Sequence, residues 1–227
     1  MIFHQVSTER GCQSYFVACQ ESCVAIVIDP DVSLVDRYLG LAAQEGVRIH
    51  YVLDTHTHAD HFSGAVELAR QLNIPVIMHR NATPPFVDMR VDDGEKIILG
   101  QLSLNILHTP GHTADSICVH VDDRVFTGDT LLIGGCGRSD LPGGNAADLH
   151  NSLFNKLLLL DDETRVYPAH IYSNAKSSTI GEEKAQNPRL QLADREEFVV
   201  QMQQLTLRMP DHLSEALRTN LSGGKTV

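Results

Sequence analysis

Short apolar, β-branched runs alternate with helical stripes along most of the chain. "SYFVA" (14–18) and "CVAIVID" (23–29) read as two strands joined by a turn at Gln20–Ser22. "DVSLVDRYLGLAAQEG" (31–46) puts Leu34, Val35, Tyr38, Leu41 and Ala42 on one face, which predicts a helix stopped at Gly46. "IHYVLD" (49–54) predicts a buried strand, "SGAVELARQL" (63–72) a helix and "PVIMH" (75–79) a further strand. The second half has the same texture. "LSLNILHTP" (102–110), "SICVHVDD" (116–123) and "RVFTGDT" (124–130) predict strands, the last two joined by a hairpin turn at Asp122–Asp123. "AADLHNSLFNKLLLL" (146–160) aligns Leu149, Leu153, Leu157 and Leu160 in one helical stripe. "RVYPAH" (165–170) is the last clear strand, and "REEFVVQMQQL" (195–205) predicts one more helix. No linker or composition break appears before the tail "LSGGKTV". The pattern predicts one α/β domain in which two packed sheets are flanked by helices.

Composition narrows the class. A chain of 227 residues can bury a substantial core. No apolar run approaches the ~18–20 residues of a membrane span, and "KLLLL" (156–160) ends at once at Asp161, Asp162 and Glu163. The first residues, "MIFHQVSTERG", lack the patterns of a secretion signal or an organellar presequence, so a soluble cytoplasmic protein is expected. A net charge of −11 repels phosphate backbones, which argues against nucleic acid as a partner and requires local cations for any bound anion. The five cysteines are odd in number and form no CxxC pair, as in a reducing compartment.

The chemistry lies in the histidines, of which there are twelve. "THTHADH" (55–61) follows the strand 49–54, and His56, His58, Asp60 and His61 fall within it. His112 follows strand 102–108 in "TPGHT", Asp129 ends strand 124–128 in "FTGDT", and His170 ends strand 165–168 in "YPAH". Four strands that each end in a ligand-type residue can deliver those residues to one point at a sheet edge. A helix N-terminus at 55–61 would explain Asp60 but leave the histidines without a role. His4, His50, His79, His108, His120 and His150 read as surface or hydrogen-bonded residues.

In order, "THTHADH", "TPGHT", "TGDT" and "YPAH" resemble the metal-binding signatures of the metallo-β-lactamase fold. The resemblance covers nearly the whole chain. It implies an αββα sandwich of two mixed sheets, a single domain over 1–227 with a short C-terminal extension, and a metal site at one edge of the sheets. "FTGDTLLIGGCGRSD" (126–140) and "YPAHIYSNAKSSTIGEEKAQNPRL" (167–190) are similar to the persulfide dioxygenase branch, whose members oxidise glutathione persulfide with O2 to sulfite and glutathione. "TIGEE" and "NPRL" also resemble the glyoxalase II thioester hydrolases, which implies the alternative of a dinuclear hydrolase. Those enzymes carry a longer helical C-terminal part than the roughly 37 residues that follow "NPRL" here.

The dioxygenase resemblance implies one Fe(2+) per chain, bound by His56, His112 and Asp129, with His58, Asp60, His61 and His170 in the surrounding layer or a vacated second metal site. Two imidazoles and one carboxylate on one face leave open positions for a thiolate and O2. Arg138 and Tyr172 match positions that contact glutathione in relatives, and an Arg fork suits a carboxylate. Arg138 has a competing partner in Asp140. Cys136 reads as a packed small residue. Ile171 stands where close relatives tend to carry Asp. No membrane or nucleic-acid partner is expected, and the resemblance leaves a homodimer open.

Overall fold

The computed structural model describes residues 1–172, 175–206, 208–209 and 213–223. Strands β1 (Ile2–Ser7), β2 (Gln13–Cys19), β3 (Val24–Ile28), β4 (Arg48–Leu53), β5 (Val76–His79) and β6 (Met89–Val91) form one sheet in that order. Its first pairs are antiparallel and those from β3 to β6 parallel. The second sheet contains β7 (Lys96–Leu99), β8 (Leu102–His108), β9 (Ile117–Val121) and β10 (Arg124–Gly128). A small ribbon of β11 (Leu131–Leu132) and β12 (Gly135–Cys136) precedes its remaining strands, β13 (Arg165–Pro168) and β14 (Ser178–Thr179). The spatial order is β14-β13-β10-β9-β8-β7.

The period-2 pattern explains the layers. Tyr15, Val17, Ile26, Ile28 and Leu53 face Leu104, Ile106, Val119 and Phe126 across the interface between the sheets. Their chain neighbours Phe16, Ala18, Ala25 and Val27 point outward, onto Tyr38 and Ala42 of α1 (Val35–Glu45) and Leu68 of α2 (Ala65–Leu72). Cys118, Val125 and Val166 of the second sheet meet α3 (Ala146–Phe154), α4 (Ile180–Gln186) and α5 (Arg195–Gln203) through Leu149, Leu153, Ile180, Phe198 and Met202. The layers are therefore αββα, as the resemblance implied. A last helix, α6 (Leu213–Ser222), buries Ala216 and Asn220. No helix among the described residues is long and apolar enough to cross a membrane.

Several boundaries differ from the sequence pattern for local reasons. Residues 32–34 form a 3-10 turn, because the Asp31 carboxylate accepts from Ser33 N at 2.8 Å, and the α-helix starts only at Val35. Gly46 does end it, at φ +67°. The helix expected over 146–160 stops at Phe154, and Leu157–Leu159 continues as a 3-10 turn that keeps Leu157 in the core. The hairpin at Asp122–Asp123 forms, with Asp122 at φ +50°. Strands β1, β6, β7, β11, β12 and β14 and helices α4 and α6 have no counterpart in the pattern. Of the tail, residues 224–227 lie outside the described residues.

Candidate metal centre

Topology accounts for the convergence. β8 and β10 are both antiparallel to β9, and β13 is parallel to β10, so β8, β10 and β13 all end at the same edge. His112, Asp129 and His170 follow those three ends. β3 and β4 are parallel and end beside each other in the first sheet, where Asp29, Asp54 and the 55–61 segment follow. The two edges are joined by Ile117 N donating to Thr55 O at 2.8 Å. Thr57 donates to the Asp115 carboxylate through both its backbone N (3.1 Å) and its hydroxyl (2.6 Å), which pins the segment from the second sheet's side.

His56, His112 and Asp129 come together as one group. Asp129 Oδ2 lies 3.6 Å from His112 Nε2 and 4.0 Å from His56 Nε2. His112 Nδ1 lies 2.8 Å from the carbonyl oxygen of Arg138, which can only accept, so Nδ1 carries the proton and Nε2 offers a lone pair to the centre. His56 Nδ1 lies 3.0 Å from Thr55 Oγ1, whose own proton is donated to Asp29 Oδ2 at 2.9 Å. That chain fixes the same tautomer for His56. His56 Nε2 is buried and has no hydrogen-bond partner within the protein. A buried polar atom left without a partner is costly unless something fills the gap. Here two imidazole lone pairs and one carboxylate oxygen surround it, a donor set that fits a divalent transition metal.

The remaining predicted residues divide. Cys12, Asp60, His61 and His170 form a second group, and Asp29, Asp54 and His58 a third. His170 Nδ1 holds Asp129 Oδ1 at 2.7 Å, leaving Oδ2 turned to the imidazoles. His170 Nε2 stands 2.5 Å from Asp60 Oδ2, as an ion pair. His58 Nε2 bonds Asp29 Oδ1 at 3.1 Å, away from the centre.

Burial is the leading influence on His56, which is pushed down to about 3, and on His58, which lies well below the usual imidazole range. Both are neutral, the form a ligand or its support needs. Burial opposes protonation of His61 too, but Asp60 and Cys12 outweigh it and raise His61 to about 10. For His170 the pair with Asp129 likewise overcomes burial and holds the ring well above its usual range. Asp129 and Asp60 sit below the carboxylate range in return. Burial would raise the Cys12 thiol, yet His170 and His61 bring it to about 7.

Residues 7–170 match the family described as Metallo-beta-lactamase superfamily. The chain belongs to that superfamily. Over 227 aligned residues it is 34% identical to the persulfide dioxygenase ETHE1, mitochondrial, of Bos taurus, covering 99% of this chain and 89% of that one. The crystal structure of ETHE1 from Myxococcus xanthus has a TM-score of 0.96 at 38% identity, over 99% of this chain and 100% of that chain. TTHA1623, crystallised in a di-iron-bound form, has a TM-score of 0.68 at 29% identity, over 83% of this chain and 99% of that one. Within the superfamily, then, this chain stands with the ETHE1 proteins, and its group of His and Asp side chains at the sheet edge is a candidate metal-binding site.

Beside this superfamily centre lies a cavity of about 700 Å³ whose wall includes Cys12, Asp129, Arg138 and Tyr172. Tyr172 is 80% exposed and stacks on His170, with ring centroids 6.0 Å apart and planes within 9°. Arg138 lines the wall but is engaged. Its Nε and Nη2 fork onto Asp140 at 2.6 and 2.7 Å, and Nη1 donates to Arg208 O at 2.8 Å. Arg10 and Arg189 also face the cavity, and their guanidinium groups have no ion pair or hydrogen bond among the described residues. Cys136 packs as expected, its Sγ 3.9 Å from Met202 Sδ, and burial pushes the thiol up to about 12. His4, His108 and His150 are hydrogen-bonded to Glu45, Ala114 O and Ala193 O, and His79 stacks on His108 at 3.7 Å.

The sequence pattern passes over Asp29, Thr55, Cys12 and Asn220. For Asp29 a signal exists, since it closes strand 23–29 just as Asp129 closes strand 124–128.

Proposed function

We propose that this chain is a persulfide dioxygenase that converts glutathione persulfide and O2 to glutathione and sulfite, with water supplying sulfite's third oxygen. The observation that carries the proposal is the near full-length match to a relative named for that activity. The donor set agrees with it. His56 Nε2, His112 Nε2 and Asp129 Oδ2 would hold a single Fe(II), leaving open positions for a sulfur ligand and O2 on the cavity side. When bound, Fe(II) supplies the redox chemistry that O2 activation requires.

The chain's own groups do the rest. Arg138 O and the Asp29–Thr55 pair keep both imidazoles in the tautomer that presents Nε2. Protonated His170 holds Asp129 Oδ1, so Asp129 remains an anion turned to the centre. The cavity's arginines supply positive charge for the carboxylates of glutathione in an otherwise acidic protein. Arg138 can serve there because its partner Asp140 is solvent-exposed, so a substrate carboxylate can take Asp140's place on the fork.

The test is an oxygen electrode run beside an S-lactoylglutathione absorbance assay on one preparation, after metal removal and reloading. Fe(II) should restore O2 uptake on glutathione persulfide, and Zn(II), which has no redox chemistry, should not. Rapid thioester cleavage with a flat oxygen trace would instead assign the hydrolase reaction of the glyoxalase II type.

A further inference from the structure

α6 reaches back across about 160 residues of sequence to the segment that carries the histidines. Asn220 is 8% exposed and points its amide into the underside of that segment. Its Nδ2 donates to His58 O at 2.8 Å and to His61 O at 2.8 Å, and its Oδ1 accepts from Ser63 N at 3.0 Å. Both amide protons and the amide oxygen are therefore used on one loop, on either side of Asp60. The carbonyls of His58 and His61 have no other donor among the described residues. The same loop is fixed at Thr57 by Asp115 and at Ser63 by the Asp54 carboxylate, 2.7 Å from Ser63 Oγ.

We propose that Asn220 is a positioning residue for the metal centre, holding the 56–63 loop in its ligating shape from α6. This rests on the reading of His56, His112 and Asp129 as the metal's ligands. Two routes connect Asn220 to them. His56 lies at the start of the clamped loop. Asp60, between the two clamped carbonyls, contacts His170, which orients Asp129. Removing Asn220 strands two buried carbonyls and one amide, and the loop regains partners only by moving. Outer groups that orient ligands typically account for about 10- to 100-fold in metal affinity.

The experiment uses full-length protein loaded anaerobically with Co(II) or Fe(II) and measures the rate of metal release to excess chelator. It includes Asn220→Ala, Asn220→Asp and, as a control for loosening α6, Leu217→Ala at a half-buried position of the same helix. Asn220→Asp keeps an acceptor for Ser63 N but loses both donors, so it should release metal faster even if Asn220→Ala does not fold. We expect about 10- to 100-fold faster release for the Asn220 variants. Leu217→Ala should lower the unfolding temperature while release stays within about twofold of wild type. Release at the wild-type rate in the Asn220 variants overturns the proposal, as does equal acceleration by Leu217→Ala. Wild-type protein that takes up no metal overturns the ligand reading as well, which separates the two failures.

Discussion

Thr55 offers the sharpest test of how the centre is built. Its side chain is fully buried, and its hydroxyl links Asp29 Oδ2 at 2.9 Å to His56 Nδ1 at 3.0 Å. Thr55→Val keeps the shape and removes only that link. The backbone bonds from Thr55 N to Asp29 Oδ1 (2.7 Å) and from Ile117 N to Thr55 O (2.8 Å) remain, so the loop stays in place. In the metal-free protein the imidazole can shift its proton to Nε2 and escape the loss. With a metal on Nε2 it cannot, so a buried Nδ1–H without an acceptor weighs on the bound state alone. A buried donor left unsatisfied costs about 1–3 kcal/mol. At about 1.4 kcal/mol per tenfold, that weakens Fe(II) affinity by roughly 5- to 150-fold. The assay is anaerobic competition against a chelator of known affinity, with Thr55→Ser, which retains the hydroxyl, expected within about threefold of wild type. Wild-type affinity in Thr55→Val would refute the claim that this link sets the His56 tautomer.

Other outcomes follow from the same geometry. Asp129→Ala should abolish iron retention by elemental analysis, whereas His58→Ala should keep a measurable share, because His58 faces Asp29. Arg138→Ala should raise KM for glutathione persulfide by about ten- to a hundredfold with iron content intact, and Asp140→Ala should lower it by removing the competing carboxylate. Kinetics unchanged in both would move the anchor to Arg10 or Arg189. The metal-free protein should lose thermal stability as pH rises from about 6.5 toward 10, because folded His61 and His170 retain protons that the unfolded chain releases there. The Cys12 thiol, brought down to about 7, offsets part of that loss between about pH 7 and 9, and a melting temperature that climbs over this range would contradict the pairing.

How much of this was legible in the sequence depends on whether a residue's partner lies nearby in the chain. The core strands showed because each is a continuous apolar run buried on both faces, as in β2 and β3. Three of the ligand-bearing strand ends showed because Pro110, Gly111, Gly128 and Pro168 mark their turns, and the fourth because "THTHADH" crowds four ligand-type residues into seven positions. β1 did not, since His4 and Gln5 interrupt its apolar pattern and it lies at the edge of its sheet. α4 is only seven residues, too short for a helical period, although the capping box of Thr179 and Glu182 marks its start. Asn220 had no local signal at all, because its importance lies in carbonyls some 160 residues away. The engagement of Arg138 was readable as a competing pair with Asp140, but only the folded chain shows its fork occupied.

The central claim is that a single iron at the sheet edge serves an oxygen-consuming reaction. It is tested most directly by metal content of anaerobically purified protein, measured on the same sample that is then given glutathione persulfide in an oxygen electrode. One iron per chain with oxygen uptake that scales with iron occupancy is the predicted result. Two tightly bound metals per active chain, with thioester cleavage and no oxygen uptake, would contradict it.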